Sequence, residues 1–249
     1  MSGLEAVAIL ASGVVAGTVN TIVGSGTLIT FPVLIGFGFS PVVANVSNTI
    51  GLVPGSLSGA FGYRRELAGQ RERAIRLGIA SAAGGVTGAA LLLALPAAAF
   101  KAVVPAFIAL ALVIVVLQPR LERAVPSWQR HSTGFRPWLL AALFTTGVYG
   151  GYFGAAQGII LLAVLSLALP ESLQRLNGLK NVLAMLTNLV AGIVFATVAH
   201  VDWLVVLLIA VGSAIGGQLG ASVGRNLPPV ALRALIILVG VSAIVRLVL

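Results

Sequence analysis

The chain of 249 residues is 59% hydrophobic and 8% charged, with a mean hydropathy of +1.09. Soluble domains carry roughly 25% charged residues, so this composition excludes a soluble globular protein and indicates a polytopic membrane protein. The formal net charge of +9 is attributed to membrane topology and anionic lipid headgroups, and no nucleic-acid partner is expected. The chain contains no cysteine, which excludes disulfides and thiolate metal sites.

The apolar runs are continuous rather than alternating, which predicts an all-α protein and not a water-filled barrel. The N-terminus has no basic region before its apolar core, so it is interpreted as mature sequence and not as a signal peptide. In chain order, the first half is expected to hold five apolar segments: 4–23, 27–39, 41–63, 77–95 and 102–117.

The second of these segments is short and follows a glycine-rich interruption, Gly24-Ser25-Gly26-Thr27. A helix of about a dozen residues rises about 18 Å, well short of a ~30 Å hydrocarbon core. Non-helical backbone at membrane depth persists only where protein or a water-filled cavity supplies its hydrogen-bond partners. We therefore interpret the stretch from Asn20 to Asn48 as a broken or re-entrant element that lines a polar site.

The second half repeats this order. A shift of 132 residues lays Gly26 on Gly158, Asn45 on Asn177 and Lys101 on Arg233. Gly154-Ala155-Ala156-Gln157-Gly158 takes the place of the first interruption, within the apolar segments 138–153, 158–169, 173–199, 203–223 and 229–249. We predict two homologous repeats, 1–117 and 138–249, joined by a basic cytoplasmic linker at 118–137.

Orientation follows from the distribution of Lys and Arg among short loops. The loop 64–76 holds five arginines and the linker four, so both are expected on the cytoplasmic side. The turn 96–101, with one Lys, and residues 200–202, with none, are expected outside, whereas the turn around Arg225 and Arg233 is expected inside. The halves would then be inverted, as in many secondary transporters with broken helices.

Each interruption could expose backbone N–H groups and the positive dipole end of a short helix to an anion. The alternative is that its glycines only allow helices to pack closely. Two interruptions at equivalent positions favour a substrate site, to which we assign Gly24, Ser25, Gly26, Thr27, Gln157 and Gly158.

Further candidates lie in the segments that follow the short ones. Asn45 and Asn48 share a helix face, as do Asn177 and Lys180, and Asn181 is adjacent. Amides in a bilayer also serve as hydrogen bonds between helices, and Lys180 could snorkel to the surface. A charge near the bilayer centre is costly, however, and normally marks a pathway or a counter-ion, so an anionic substrate is the expected partner of Lys180.

The remaining chemistry-bearing residues predict no catalysis. The six carboxylates fall near segment ends or in loops, and the two histidines, His131 and His200, are far apart. We therefore expect no metal site, no cofactor and no enzyme active site.

The first half, from GTVNTIVGSGTLITFPVLIGFGFSPVVANVSN to GAFGYRREL, resembles the sulfite exporter TauE/SafE family of bacterial membrane permeases. The second half is similar in GVYGGYFGAAQGIILLAVL, RLNGLKNVLAMLTNLVAGIVFATVAHVDW and RNLPPVALRALIILVG. The resemblance implies a multi-pass inner-membrane permease that exports sulfite, sulfonates or related small organic anions. Family members often show longer glycine runs at the interruptions.

From these observations we expect a secondary transporter that holds a small anion at the membrane midplane and works by alternating access. An anion channel, or an uptake permease for a different anion, is the alternative. An intramembrane enzyme would need a buried nucleophile and base, which the chain does not offer. The expected partners are the lipid bilayer and the substrate, and the composition is compatible with a homo-oligomer.

Overall fold

The computed structural model describes residues 1–123 and 137–223, together with positions 234, 237, 238, 241 and 245; for 118–123 and 223 it describes the backbone alone. Regular structure in this part of the chain is entirely α-helical. The helices are α1 (Gly3–Ile22), α2 (Thr27–Gly36), α3 (Pro41–Gly51), α4 (Val53–Gly62), α5 (Arg71–Ala94), α6 (Ala97–Arg123), α7 (Pro137–Tyr152), α8 (Gln157–Ala168), α9 (Leu173–Val198) and α10 (Trp203–Val223).

Five of the described helices are long and apolar enough to cross a bilayer: α1, α5, α6 up to Leu117, α9 and α10. Large apolar side chains point outward from them, among them Val7, Ile79 and Ile215, as expected of surfaces that contact lipid. The chain is therefore an all-α, multi-pass membrane protein, as its composition predicts. α2 and α8 are apolar but have only 10 and 12 residues, as expected for the two short segments.

Several predicted boundaries are corrected. Segment 41–63 is divided at Leu52 into α3 and α4, because Pro54 has no N–H with which to continue the helical ladder. The predicted loop 64–76 is helical from Arg71, and Lys101 lies inside α6, which begins at Ala97.

The end of the first half also differs from expectation. α6 continues through Arg123, into the predicted linker 118–137. Residues 124–136, Arg225, Arg233 and most of segment 229–249 lie outside the described residues.

Packing between the helices follows a crossed pattern. α1 runs parallel to α10, and α7 runs parallel to α5, so the first helix of each half lies along the fourth apolar segment of the other. Small residues allow this contact: a Cβ on Gly17 would lie 2.3 Å from Ser213 O, and one on Gly151 would lie 2.1 Å from Gly85 O. Both pairs therefore pack backbone against backbone, as is common in membrane bundles.

The end of α4 and the start of α9 lie side by side. Gln70 Nε2 donates to the Arg175 carbonyl, and Arg175 Nη2 donates to the Ala68 carbonyl. The carboxylate of Glu171 also accepts from Arg73 Nη1 at 2.8 Å and from Arg175 Nε at 2.7 Å. The α3–α4 pair and α9 therefore run antiparallel. Ion pairs and hydrogen bonds among Arg73, Glu171 and Arg175 connect the two halves at this end.

This network predicts a pH-dependent contribution to stability. Partial burial opposes ionisation of Glu171, but the hydrogen bonds from Arg73 and Arg175 outweigh it and lower the pKa of its carboxyl group. A lowered pKa in the folded protein stabilises it above the ordinary carboxyl pKa of about 4.3, and this stabilisation is lost as the pH falls through the folded value.

We expect Glu171→Gln to lower the free energy of unfolding by about 1 kcal/mol near pH 7 and to have a smaller effect near pH 3. Thermal melting of the detergent-solubilised protein at both pH values measures this difference. The control is Glu72→Gln, because Glu72 pairs with Arg76 on the surface and its side chain is 79% exposed. Equal losses for the two variants would contradict the assignment.

Candidate functional site

The two interruptions touch each other. Gly158 N donates to Gly24 O at 3.0 Å, and a Cβ placed on Gly24 would lie 2.4 Å from Gly158 Cα. Gly24 has a φ of +89°, which only glycine adopts without strain. The breaks therefore converge, as expected for the candidate site, but their backbones cross too closely for a solute to lie between these two glycines.

The backbone conformation of the two breaks aligns them with a shift of 130 residues instead of 132. Gly24 and Gly154 both have positive φ, and helices start at Thr27 and Gln157, so equivalent positions here are 130 residues apart. The capping serines before α3 and α9, Ser40 and Ser172, keep the spacing of 132 because α8 is two residues longer than α2. In the structure Gly26 therefore corresponds to Ala156, the residue before α8, and not to Gly158.

The first-turn N–H groups of α8 have backbone partners. Gln157 N donates to Gly154 O and Ile159 N donates to Ala156 O, in addition to the bond from Gly158 to Gly24. In α2, Leu28 N donates to Ser25 O and Ile29 N donates to Gly26 O. These amides are thus less available to an anion than the sequence alone suggested.

Side chains supply polar atoms at the same place. Ser25 is 1% exposed and Gln157 is 3% exposed, and neither Ser25 Oγ nor Gln157 Nε2 has a hydrogen-bond partner. Gln157 folds back over Gly150, where a Cβ would lie 2.3 Å from its Nε2. Each break therefore brings one buried hydrogen-bonding group to the crossing point.

The cation of Lys180 lies at the end of α1. Its Nζ donates to Asn20 O at 3.2 Å and to Thr21 O at 3.0 Å, and the residue is completely buried. Asn177 Nδ2 and Asn181 Nδ2 donate to the same Thr21 carbonyl. Terminal carbonyls of a helix carry its negative partial charge, so they stabilise the ammonium, which does not snorkel to the surface.

The C-terminal end of α7 has a similar arrangement of amide side chains, but without a lysine. Asn45 Nδ2 donates to Tyr152 O at 2.9 Å, as Asn177 does to Thr21 O in the other half. Asn48, which the 132-residue shift places opposite Lys180, donates to Thr27 Oγ1 and accepts from Thr30 Oγ1. The structure therefore places the candidates Asn45, Asn48 and Thr27 at one polar cluster and Asn177, Lys180 and Asn181 at another, and Lys180 is the charged member of this set.

Sequence reasoning missed several members of these clusters. Asn20 donates to Ser56 Oγ and accepts from Gly26 N, while Tyr63 OH accepts from Asn177 Nδ2. Thr30 joins Asn48 to the start of α2. Asn20 was recognisable as an amide near the end of an apolar segment, but Ser56 and Tyr63 lie far from the breaks in sequence.

An aromatic cluster supports the second break. Phe31 meets Phe153 edge-on with ring centroids 5.2 Å apart, and Phe107 of α6 packs on Tyr149, Tyr152 and Phe153. Tyr149 OH donates to Ala155 O at 2.6 Å. These contacts hold Ala156 at a φ of 58°, a left-handed conformation that is strained for alanine and that starts α8.

The site is poor in acids. Glu171, the carboxylate closest to Lys180 in sequence, forms ion pairs with Arg73 and Arg175. Within residues 1–123 and 137–223, no three His, Asp or Glu side chains gather as a metal site requires. In the described part of the chain, the groups that accept hydrogen bonds from Lys180 Nζ are backbone carbonyls and not carboxylates.

Comparison with known proteins identifies a family for the chain. The family model described as sulfite exporter TauE/SafE matches residues 9–247. The chain is 27% identical over 236 residues to "Probable membrane transporter protein ORF9" of a Sinorhizobium species, which covers 94% of this chain and 88% of that protein.

Two further relatives are similar over most of their length. One is a "Probable membrane transporter protein" of Haemophilus influenzae, 29% identical, with 88% of this chain and 85% of that protein covered. The other is "Probable membrane transporter protein YfcA" of Escherichia coli K12, 24% identical, with 90% and 82% covered. No solved structure matches the chain. Since the family match covers nearly the whole sequence, the chain belongs to the sulfite exporter TauE/SafE family of membrane transporters.

Proposed function

We propose that the protein is a secondary transporter of the bacterial inner membrane that exports small anions such as sulfite, organosulfonates or related organic acids. It carries no cofactor and makes no covalent bond to the solute. The single observation that carries the proposal is the completely buried ammonium of Lys180, held by backbone carbonyls beside the crossing of two interrupted helices.

Charge is the first argument for an anion. Carbonyl dipoles stabilise an ammonium but leave its net charge in place, and an uncompensated charge in a low-dielectric interior is costly. A monoanion that reaches Lys180 neutralises it. Neutral donors at the breaks, Ser25 Oγ and Gln157 Nε2, then supply hydrogen bonds to the oxygen atoms of the solute.

The arrangement of the helices is the second argument. Asn45 and Asn177 belong to antiparallel segments, and each donates to the terminal carbonyl of the other half. This exchange is what two inverted repeats meeting at the midplane require, and such repeats alternate access by rocking around a fixed site. The direct backbone contact between Gly24 and Gly158 favours such a carrier over a continuously open anion channel.

Cysteine accessibility tests this cycle. We expect Asn45→Cys and Asn177→Cys, each unique in a chain without cysteine, to react with a membrane-impermeant thiol reagent from opposite faces of sealed vesicles. Added methanesulfonate should slow both reactions; it is used instead of sulfite because sulfite itself reacts with thiol reagents.

A matched control and a transport assay complete the test. Lys101→Cys, on an exposed position of α6, should react at a rate that methanesulfonate does not change. The wild-type protein in proteoliposomes should exchange radiolabelled sulfite with saturation. Protection of both asparagine positions from reaction under every condition would show that they only pack helices, and unitary conductance would identify a channel.

A further inference from the structure

The C-terminal end of α1 has the properties of a cation site. α1 stops at Ile22 inside the protein, and its Asn20 and Thr21 carbonyls point at the Lys180 ammonium rather than continuing a helical ladder. In transporters with discontinuous helices, the C-terminal ends of half-helices and unwound carbonyls commonly coordinate the coupling Na⁺. In this protein the ammonium of Lys180 binds the carbonyls at such a helix end.

Thr21 and the two asparagines that donate to it carry further oxygen atoms. Asn177 and Asn181 both donate to Thr21 O through their amide nitrogens, and the Oδ1 atom of each is buried without a hydrogen-bond partner. Thr21 Oγ1 is likewise buried and unpartnered. Neutral hard oxygens of this kind are suitable ligands for an alkali cation. The ammonium thus contacts two helix-end carbonyls, and the residues that hold these carbonyls carry three further buried oxygens that no donor in the described part of the chain satisfies.

We infer that the ammonium of Lys180 takes the place of a coupling sodium ion. The native protein therefore transports its anion without using a sodium gradient. The inference rests on the proposed function, because it assigns the energy coupling of the same site. A fixed cation also defines the substrate: one positive charge at the midplane is matched by a monoanion, such as hydrogensulfite or a sulfonate.

The cluster at the end of α7 can be compared with the cluster around Lys180. At the end of α7, Tyr152 O accepts from Asn45, and the position opposite Lys180 holds Asn48, whose amide is satisfied by Thr27 and Thr30. This cluster has the same arrangement of a helix end and amide side chains, and the residues that form it are uncharged. Lys180 is therefore an addition to a shared framework, which fits a role in coupling better than one in packing.

Shortening the tether tests the inference. Lys180→Ala removes the ammonium and opens space among the oxygens, whereas Lys180→Met removes the charge but fills the space. The thermal melting temperature of each purified variant is measured in sodium, potassium and choline chloride at constant ionic strength. We expect sodium to raise the melting temperature of Lys180→Ala over its value in choline by about 3 °C at tenfold the dissociation constant. The wild type and Lys180→Met should show no such difference.

Transport gives a second measurement. Radiolabelled sulfite exchange by the wild type should be equal in the three salts, and exchange by Lys180→Ala should be several-fold faster in sodium than in choline. Acceleration of wild-type exchange by a sodium gradient would overturn the inference. So would a Lys180→Ala protein whose melting responds to sodium no more than that of Lys180→Met.

The two measurements separate the two proposals. If the wild type exchanges no sulfite in any salt, the proposed substrate fails, but the melting experiment still reports on the cation site. If Lys180→Ala does not fold, Lys180→Asn places in α9 the residue that α3 carries at Asn48 and is measured in its place. If neither folds, the salt dependence of wild-type exchange decides.

Discussion

Replacing Lys180 with methionine is expected to reduce sulfite exchange at least about 100-fold in every salt. Removal of one partner of a buried, hydrogen-bonded charge pair costs about 2–5 kcal/mol, and about 2.8 kcal/mol already corresponds to 100-fold. Methionine has nearly the length of lysine and no charge, so the variant removes the positive potential and preserves most of the packing. Initial rates of exchange in proteoliposomes, normalised to inserted protein, measure the effect.

The same variant should remain folded. Its side chain no longer donates to Asn20 O and Thr21 O, but Thr21 O keeps its bonds from Asn177 and Asn181. We expect the loss in unfolding free energy to be about 1–3 kcal/mol, the cost of one buried carbonyl left unpaired. The control Lys101→Met removes an exposed lysine from α6 and should exchange sulfite at the wild-type rate. Normal exchange by Lys180→Met would exclude the ammonium from the transport site.

The sequence was sufficient to predict the class of fold and the existence of the two breaks. Continuous apolar runs determine the helices, and the glycines at 24, 26 and 154 interrupt them at the positions where the structure has turns, whereas Gly158 lies in the first turn of α8. Boundaries were less predictable where a helix passes through charged or small residues without a breaker. α5 therefore begins at Arg71 and α6 at Ala97, both earlier than composition suggests.

The partners of Lys180 could not be predicted in the same way. The absence of a carboxylate near Lys180 in its segment suggested an anionic solute as its partner, whereas the structure shows the Asn20 and Thr21 carbonyls in contact with it. Every residue has a carbonyl, so its use as a ligand has no signature in composition or spacing. Only the tertiary arrangement, which brings the end of α1 against α9, shows it.

The crossing of the two breaks has the same origin. Sequence placed each glycine-rich turn in its own half, but the hydrogen bond from Gly158 to Gly24 depends on how the halves pack. It also explains why glycine is needed at each position for a different reason. Gly24 needs a positive φ as well as space, whereas Gly158 needs space alone.

Alanine in place of Gly24 or Gly158 is expected to have the second large effect on stability and on sulfite exchange. Three substitutions separate the contribution of steric overlap from that of backbone strain. Gly158→Ala places a Cβ 2.4 Å from Gly24 Cα at an ordinary φ, so it tests steric overlap. Gly38 has a φ of +86°, and a Cβ added there would have no other atom within 4 Å, so Gly38→Ala tests backbone strain alone. Gly24→Ala combines a φ of +89° with a Cβ 2.4 Å from Gly158 Cα.

We expect Gly38→Ala to cost about 1 kcal/mol of unfolding free energy and to keep wild-type exchange. Gly158→Ala should cost about 3 kcal/mol and abolish exchange, because neither backbone can withdraw without breaking the hydrogen bond between them. Gly24→Ala should lose the sum of both effects. Thermal melting and sulfite exchange measured on all three variants test this order. If Gly158→Ala melts and transports like Gly38→Ala, the breaks do not meet in the working protein, and the site must lie elsewhere.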